Sequence, residues 1–273
     1  MCGIAGFVSR QAGPEAAALC HDMIDALVHR GPDDGGVWSE PSSGVVMGHR
    51  RLAILDLSPR GNQPMHSSSG RYVVAYNGEI YNFLRLQKEL ELQGARFCGH
   101  SDTEVLLAAV EAWGVRGAVE QFVGMFAFAL WDREERTLWL ARDRIGEKPL
   151  YYGWQGKSFL FGSELKALRR HPDWQGEIDR DVLALFMRHN YVPGPWSIYR
   201  GIRKLLPGTL LCFQVGTPPG TLPEPEAYWS AAQVVEQGLA HPFEGGEREA
   251  VDALESLLLE TIADKMISDV PLG

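Results

Sequence analysis

Cysteine is scarce: the 273 residues hold four, Cys2, Cys20, Cys98 and Cys212. Their spacing fits no zinc or iron–sulfur pattern, so no metal site is expected. A chain of this length buries a core without disulfides, so reduced thiols and a cytoplasmic location are expected. Long apolar runs are missing too. None approaches the ~18 residues of a membrane span, which excludes an integral membrane protein of the helical kind. The opening MCGIAGFVSR has no cationic stretch leading into an apolar one, so no secretory signal is read there. Positive charge falls short of negative, with 26 Lys and Arg against 35 Asp and Glu and a net charge of −9. A net acid without blocks of Lys or Arg cannot blanket a phosphate backbone, which sets nucleic acid aside as a partner. At 45% hydrophobic and 22% charged, the composition is that of a globular protein and excludes a disordered, collagenous or coiled-coil chain.

What is present reads as alternating short elements. Residues 4–8 form a short buried strand, and 15–28 carry Leu19, Met23, Ile24 and Leu27 as a helical stripe. Residues 29–36 are too rich in Gly, Pro and Asp for a regular element. Strands are expected at 44–48 and 52–57, with a loop over 58–70. Residues 72–76 are a β-branched and aromatic strand, closed by Asn77-Gly78 as a turn. Helices follow over 83–93 and 103–113, stopped by Gly94 and Gly114, with Asp102 as a candidate N-cap of the second. Strands recur at 126–131, 138–142, 158–162 and 207–215, with helix over 179–189. Helices early and strands throughout, without a β-α-β rhythm, argue for an α+β fold. Residues 216–226 hold four prolines and two glycines and read as a linker. Residues 247–267 form one long helix with Val251, Leu254, Leu258, Ile262 and Met266 on one face. That face has little left to cover, so a second domain is expected to begin there.

Cys2 follows the initiator Met directly. Loss of Met1 would leave one residue carrying both a thiol and a free α-amine. A thiolate is the better nucleophile, but a free thiol has pKa ~8.5. An α-amine of pKa ~7.7–8.0 can take the thiol proton and return it to a leaving amine, so no partner histidine is required. His29, His49 and His100 are accordingly assigned surface or structural roles. Acyl transfer also needs an oxyanion hole. The Asn77 amide and the Gly78 backbone N–H are suited to one, the glycine allowing close approach of a substrate. The same dipeptide is equally an ordinary turn.

Cys2-Gly3-Ile4-Ala5-Gly6-Phe7 resembles the start of class II glutamine amidotransferases, the N-terminal-nucleophile (Ntn) glutaminases. His29-Arg30-Gly31-Pro32-Asp33 is similar to that family's loop after the first helix, and Arg51-Leu52-Ala53-Ile54-Leu55-Asp56, Tyr76-Asn77-Gly78-Glu79 and Ser101-Asp102-Thr103-Glu104 are similar to the segments that build its glutamine pocket. Gly124-Met125-Phe126-Ala127-Phe128 and Arg142-Asp143-Arg144-Ile145-Gly146 are similar to its later strand signatures. Lys148-Pro149-Leu150-Tyr151-Tyr152, Ser163–Leu168, Ile198–Leu205 and Ser268–Gly273 resemble the glutamine-hydrolysing asparagine synthases.

The resemblance implies an Ntn-hydrolase four-layer αββα sandwich of two antiparallel sheets. The glutaminase domain would span 1–215 and the linker 216–229. Residues 230–273 would begin an ATP-binding synthetase domain, cut short before its pyrophosphate loop. Carried over, Cys2 attacks the glutamine carboxamide, Asn77 and Gly78 hold the oxyanion, and Arg51 clamps the α-carboxylate. Glu79 and Asp102 take the α-ammonium, and the main chain of Leu52 and Ile54 adds a contact. Of the neighbours Arg50 and Arg51, only one can enter the pocket. Asp33, Arg142 and Asp143 are assigned structural rather than catalytic roles. L-Glutamine is the implied substrate, without a cofactor for its hydrolysis. ATP, magnesium and aspartate belong to an intact family member, and a homodimer is admissible. Amidation of another carboxylate, in a peptide or polysaccharide precursor, and a non-catalytic glutamine-binding remnant are the alternative readings.

Overall fold

The central strands of this chain are apolar on both alternating faces because both faces are buried. In the first, Ile4 and Val8 join one core while Ala5 and Phe7 join another. In the run from Tyr72, Val73 and Ala75 lie on one side and Tyr72, Val74 and Tyr76 on the other. Successive side chains leave a sheet on opposite sides, so each such strand feeds two cores.

A computed structural model describes residues 1–9 and 13–271. In chain order it contains β1 (Gly3–Val8), α1 (Ala16–Asp25), β2 (Asp34–Glu40), β3 (Val45–Arg51), β4 (Met65–His66), β5 (Tyr72–Ile80), α2 (Phe83–Leu92) and α3 (Asp102–Gln121). Then follow β6 (Gly124–Asp132), β7 (Thr137–Arg142), β8 (Tyr151–Gln155), β9 (Ser158–Gly162), α4 (Leu165–Leu168) and α5 (Arg180–His189). The last are β10 (Ile202–Lys204), β11 (Thr209–Gln214), β12 (Glu226–Ala227), α6 (Ala231–Ala240) and α7 (Glu247–Lys265). Leu272 and Gly273 of the C-terminal signature, and Arg10 of the opening stretch, lie outside the described residues.

The strands form two six-stranded sheets, ordered β10-β8-β9-β1-β3-β2 and β12-β11-β7-β6-β5-β4. Their pairings are antiparallel. The inner faces meet in a core that includes Met47, Phe161, Trp131 and Leu140. Across it Phe159 of β9 stacks on Phe213 of β11, ring centroids 4.0 Å apart. Helices α1 and α4 cover the outer face of the first sheet, and α2 and α3 that of the second. This is the four-layer αββα sandwich that the resemblance implied. A polar tie crosses the layers: buried His49 of β3 donates from Nε2 to Tyr76 O of β5 at 2.9 Å.

Several local expectations fail for identifiable reasons. Residues 52–57 are not a strand; the chain leaves the sheet after Arg51, and Asp56 takes a positive φ of 52°. The strand from Tyr72 does not turn at Asn77-Gly78 but runs on to Ile80, held by pairing with β6. Ser101, not Asp102, caps α3, its Oγ accepting from Glu104 N–H. That helix resumes beyond Gly114, which marks a kink at φ 72°. Strand β2 begins within the Gly-rich stretch, at Asp34-Gly35-Gly36, because a Cβ on Gly36 would lie 2.3 Å from Gln63 O. Strand β8 and helix α6 had no counterpart in the sequence reading. The Pro-rich stretch is pinned to the sandwich, with Trp154 Nε1–H donating to Thr221 O at 2.8 Å and β12 pairing with β11. On α7, Val251, Leu254, Leu258, Ile262 and Met266 are exposed. No described helix is long and apolar enough to cross a membrane.

Burial depresses the His49 pKa to about 4. Because the unfolded chain takes up a proton near pH 6.5 that the folded chain refuses, stability is lost as pH falls through this window. Denaturant titrations at pH 7 and pH 4.5 should differ by up to about 3 kcal/mol from this residue, and His49→Gln should flatten that component of the slope.

Candidate active site

Strand β1 sits in the middle of its sheet, between β3 and β9. Gly3 pairs with Arg50, so the next residues outward, Cys2 and Arg51, emerge at the same end. Arg30 anchors that end: its Nε–H donates to Cys2 O at 2.9 Å, and its Nη1 reaches Glu164 Oε1 at 3.0 Å. Cys2 Sγ lies 3.4 Å from Leu52 N and 3.6 Å from Leu52 O. Burial pushes the Cys2 thiol above its ordinary pKa. One pocket is lined by Cys2, Arg51, Leu52, Ile54, Asn77, Gly78, Glu79 and Asp102 together. All eight residues singled out in the sequence are thus in one place.

Alternation along β3 separates the two arginines. Arg50 turns away, its Nε–H donating to Gly31 O at 3.1 Å, while Arg51 lines the pocket. The Arg51 guanidinium is wrapped by the loop that follows it. It donates to Ser58 O (3.1 Å), Asn62 Oδ1 (2.9 Å), Leu55 O (3.3 Å) and Asp56 O. Gly61 closes this wrap; a Cβ there would lie 2.0 Å from Arg51 Nη2. Among the described residues no carboxylate forms an ion pair with Arg51. A buried cation among neutral dipoles favours an anionic ligand.

The acidic residues lining the pocket are Glu79 and Asp102. Asp102 opens α3 and is 5% exposed. Its Oδ2 accepts from Tyr76 OH (2.7 Å) and Ile80 N–H (2.9 Å). Burial raises the pKa of both carboxyls, and for Glu79 the charge of Asp102 adds to it. A second positive charge at the same pocket would favour their ionised forms.

Asn77 carries the pocket's clearest polar signal. Its side-chain Oδ1 and Nδ2 are both buried and both unpartnered. Buried amides are almost always bonded, so this one stands ready for a ligand. Gly78 follows from the strand register. It faces Phe126, whose N–H and C=O are committed instead to Asp143 at 3.2 Å and 2.8 Å. On the other edge of β5, Tyr76 N–H goes to Gln63 Oε1 and Ile80 N–H to Asp102. The period of two puts the Gly78 N–H on that same edge, between them. The glycine itself is demanded by the neighbouring strand: a Cβ would lie 2.3 Å from Met125 O. Close approach of two backbones, rather than of a substrate, is what requires it.

Lys148 was missed as a site residue. It is 4% exposed, lines the pocket, and its Nζ lies 3.2 Å from Met1 Sδ. Its position comes from Asp143, whose carboxylate accepts the N–H groups of residues 145–148. Arg142 is likewise structural, donating to the carbonyls of Gly146, Lys148 and Leu205. Asp33 accepts from Ala53 N–H at 2.8 Å. The described residues contain no cluster of three or more His, Cys, Asp or Glu arranged for a metal. Nor does the sequence contain a Ser-Gly-Gly-x-Asp-Ser loop.

A sequence profile described as a glutamine amidotransferase domain covers residues 1–229. The chain is 37% identical to asparagine synthetase (glutamine-hydrolyzing) 3 of Bacillus subtilis, over 100% of this chain and 42% of that protein. It is 31% identical to the putative asparagine synthetase (glutamine-hydrolyzing) 2 of Methanocaldococcus jannaschii, over 100% and 54%. It is 30% identical to the amidase chry2 of Gibberella zeae, over 100% and 40%. The chain therefore spans about half the length of these relatives, or less. Among solved structures, the glutamine phosphoribosylpyrophosphate amidotransferase of B. subtilis superposes with a TM-score of 0.60 at 21% identity, over 84% of this chain and 49% of that one. That likeness concerns the fold.

The Tyr76 hydroxyl is one of two donors on the same oxygen of a buried carboxylate. Tyr76→Phe should lower unfolding free energy by about 1–3 kcal/mol, read from the denaturant midpoint at pH 7.

Proposed function

This chain belongs to the class II glutamine amidotransferase domain family, and from that premise we propose that it hydrolyses L-glutamine to glutamate and ammonia through a thioester on Cys2. The observation that carries the reading is the unpartnered Asn77 amide, lining one pocket with a thiol, a cation and two carboxyls. A free α-amino acid presents one carboxylate and one ammonium, and the pocket offers Arg51 to the first and Glu79 with Asp102 to the second.

The chemistry begins once Met1 is removed. The freed Cys2 amine takes the thiol proton, and Sγ attacks the carboxamide carbon. The negative charge that develops on its oxygen is met by Asn77 Nδ2–H and the Gly78 N–H, donors in place before the reaction. The C–N bond then breaks, the amine returns its proton to the leaving nitrogen, and ammonia departs. Water, deprotonated by the same amine, hydrolyses the thioester to glutamate and restores the thiol. Burial raises the Cys2 thiol above its ordinary pKa, so attack calls for a base to take its proton.

We assign the ammonia to ATP-dependent amidation of aspartate, on the names of the B. subtilis and M. jannaschii relatives. ATP, magnesium, aspartate and a homodimeric assembly enter with that assignment and with length that this chain does not contain. The relative named an amidase favours a second reading, in which the acceptor is a different carboxylate.

Purified protein, shown by mass spectrometry to begin at Cys2, should release ammonia from L-glutamine without ATP. Cys2→Ala should abolish release, and Asn77→Ala should lower kcat about 10²–10³-fold. A folded, processed chain that releases none overturns the reading.

A further inference from the structure

The chain returns to the pocket well beyond residue 229. After α7 ends at Lys265, residues 268–270 lie against the loop that wraps Arg51. Asp269 makes a reciprocal pair with that loop. Its N–H donates to Ile54 O at 3.0 Å, and its Oδ2 accepts from Asp56 N–H at 2.7 Å. The same oxygen lies 2.7 Å from His100 Nε2. His100 immediately precedes Ser101 and Asp102, and its backbone N–H donates to Asp56 Oδ2 at 3.2 Å. The clasp therefore joins three segments: the Arg51 wrap, the start of α3, and the stretch after α7.

Asp56 is the pivot. Its positive φ is uncommon for a residue with a side chain, and the wrap has no strand or α-helix of its own to hold it. Its carboxylate accepts from Ser58 N–H and Ser58 Oγ–H on one oxygen and from His100 N–H on the other. Its carbonyl, with those of Leu55 and Ser58, receives the Arg51 guanidinium. Release of Asp269 would free the main chain at Ile54 and at Asp56, on either side of the Leu55 carbonyl. The bond between His100 and Asp269 favours the charged form of each, raising the first pKa and lowering the second.

We propose that Asp269 is a positioning residue of the glutamine pocket, fixing the loop that aims Arg51 at the substrate carboxylate. The substrate half of this rests on the glutaminase reading above; the clasp does not. The arrangement makes glutamine binding and the placement of residues 268–270 reciprocal. Whatever draws that segment away weakens glutamine binding, and bound glutamine holds the segment in place.

Two measurements on the Met-processed protein test this. Asp269→Ala should raise the KM for glutamine about tenfold, the value of one hydrogen bond to a charged group, with kcat nearly unchanged because Cys2, just before β1, and Asn77 and Gly78, on β5, lie outside the loop that Asp269 holds. Amide exchange across residues 53–61 should quicken about tenfold at an unchanged global unfolding midpoint. Asp269→Asn keeps an acceptor for Asp56 N–H and should recover part of both effects. Parental KM and parental exchange in Asp269→Ala overturn the inference, as does a fall in kcat at constant KM. Quickened exchange in Asp269→Ala, with a parent that releases no ammonia, upholds the clasp and sinks the glutaminase reading alone.

Discussion

A buried guanidinium that pairs with no carboxylate among the described residues governs the functional end of this molecule. Arg51 lies at the last position of β3, where the alternation of the strand drives it inward. Burying an unpaired cation is costly, and the chain offsets the cost with oxygen dipoles. Three carbonyls and the Asn62 amide converge on the side chain. That convergence explains why residues 52–57 leave the sheet, why Asp56 adopts a left-handed backbone, and why residue 61 has no side chain. It also leaves a net positive charge at the pocket, where the carboxylate of the proposed substrate would complete the electrostatics.

The two sheets supply the rest of the site through a limited form of disorder in their pairing. β4 pairs with only the first part of β5, at Val73 and Val74, so the later part of that edge is free of ladder bonds. Side chains take the places that a strand would have filled: Gln63 at Tyr76 and Asp102 at Ile80. Between them Gly78 points its N–H into the pocket, beside the amide of Asn77. The proposed oxyanion donors would thereby sit on a sheet strand rather than on a turn, which favours preorganised donors over donors that must be ordered in each turnover.

Much of the molecule was legible in order of residues alone. The apolar runs of β1, β5, β6, β7 and β9 were located because burial on two faces leaves a continuous apolar signal. Helices α1 and α7 were located because their stripes repeat at helical spacing, and the end of α2 because Gly94 stops it. The pocket residues were legible through the resemblance; alternation admitted only one of Arg50 and Arg51 to the pocket, and the resemblance selected Arg51. The turn expected at Asn77-Gly78 failed because pairing with β6 overrides local turn preference. Strand β8 went unread because its Tyr-Tyr-Gly-Trp-Gln sequence has little periodicity of its own and takes its conformation from β9 and β10.

Local pattern by itself determined the α+β class and located β1, β3, β5, β6, β7, β9 and β11 with helices α1, α2, α3, α5 and α7, and the resemblance supplied the family to which Cys2, Arg51, Asn77 and Asp102 point. These depend on neighbours a few positions apart, where periodicity and turn chemistry act. Tertiary structure alone decided the carbonyl wrap of Arg51, the free edge at Gly78, the entry of Lys148 into the pocket, and the return of Asp269 to Asp56 across 213 positions. Each of those is a contact between segments that only the packing of two sheets brings together, and no local pattern encodes a partner so far away.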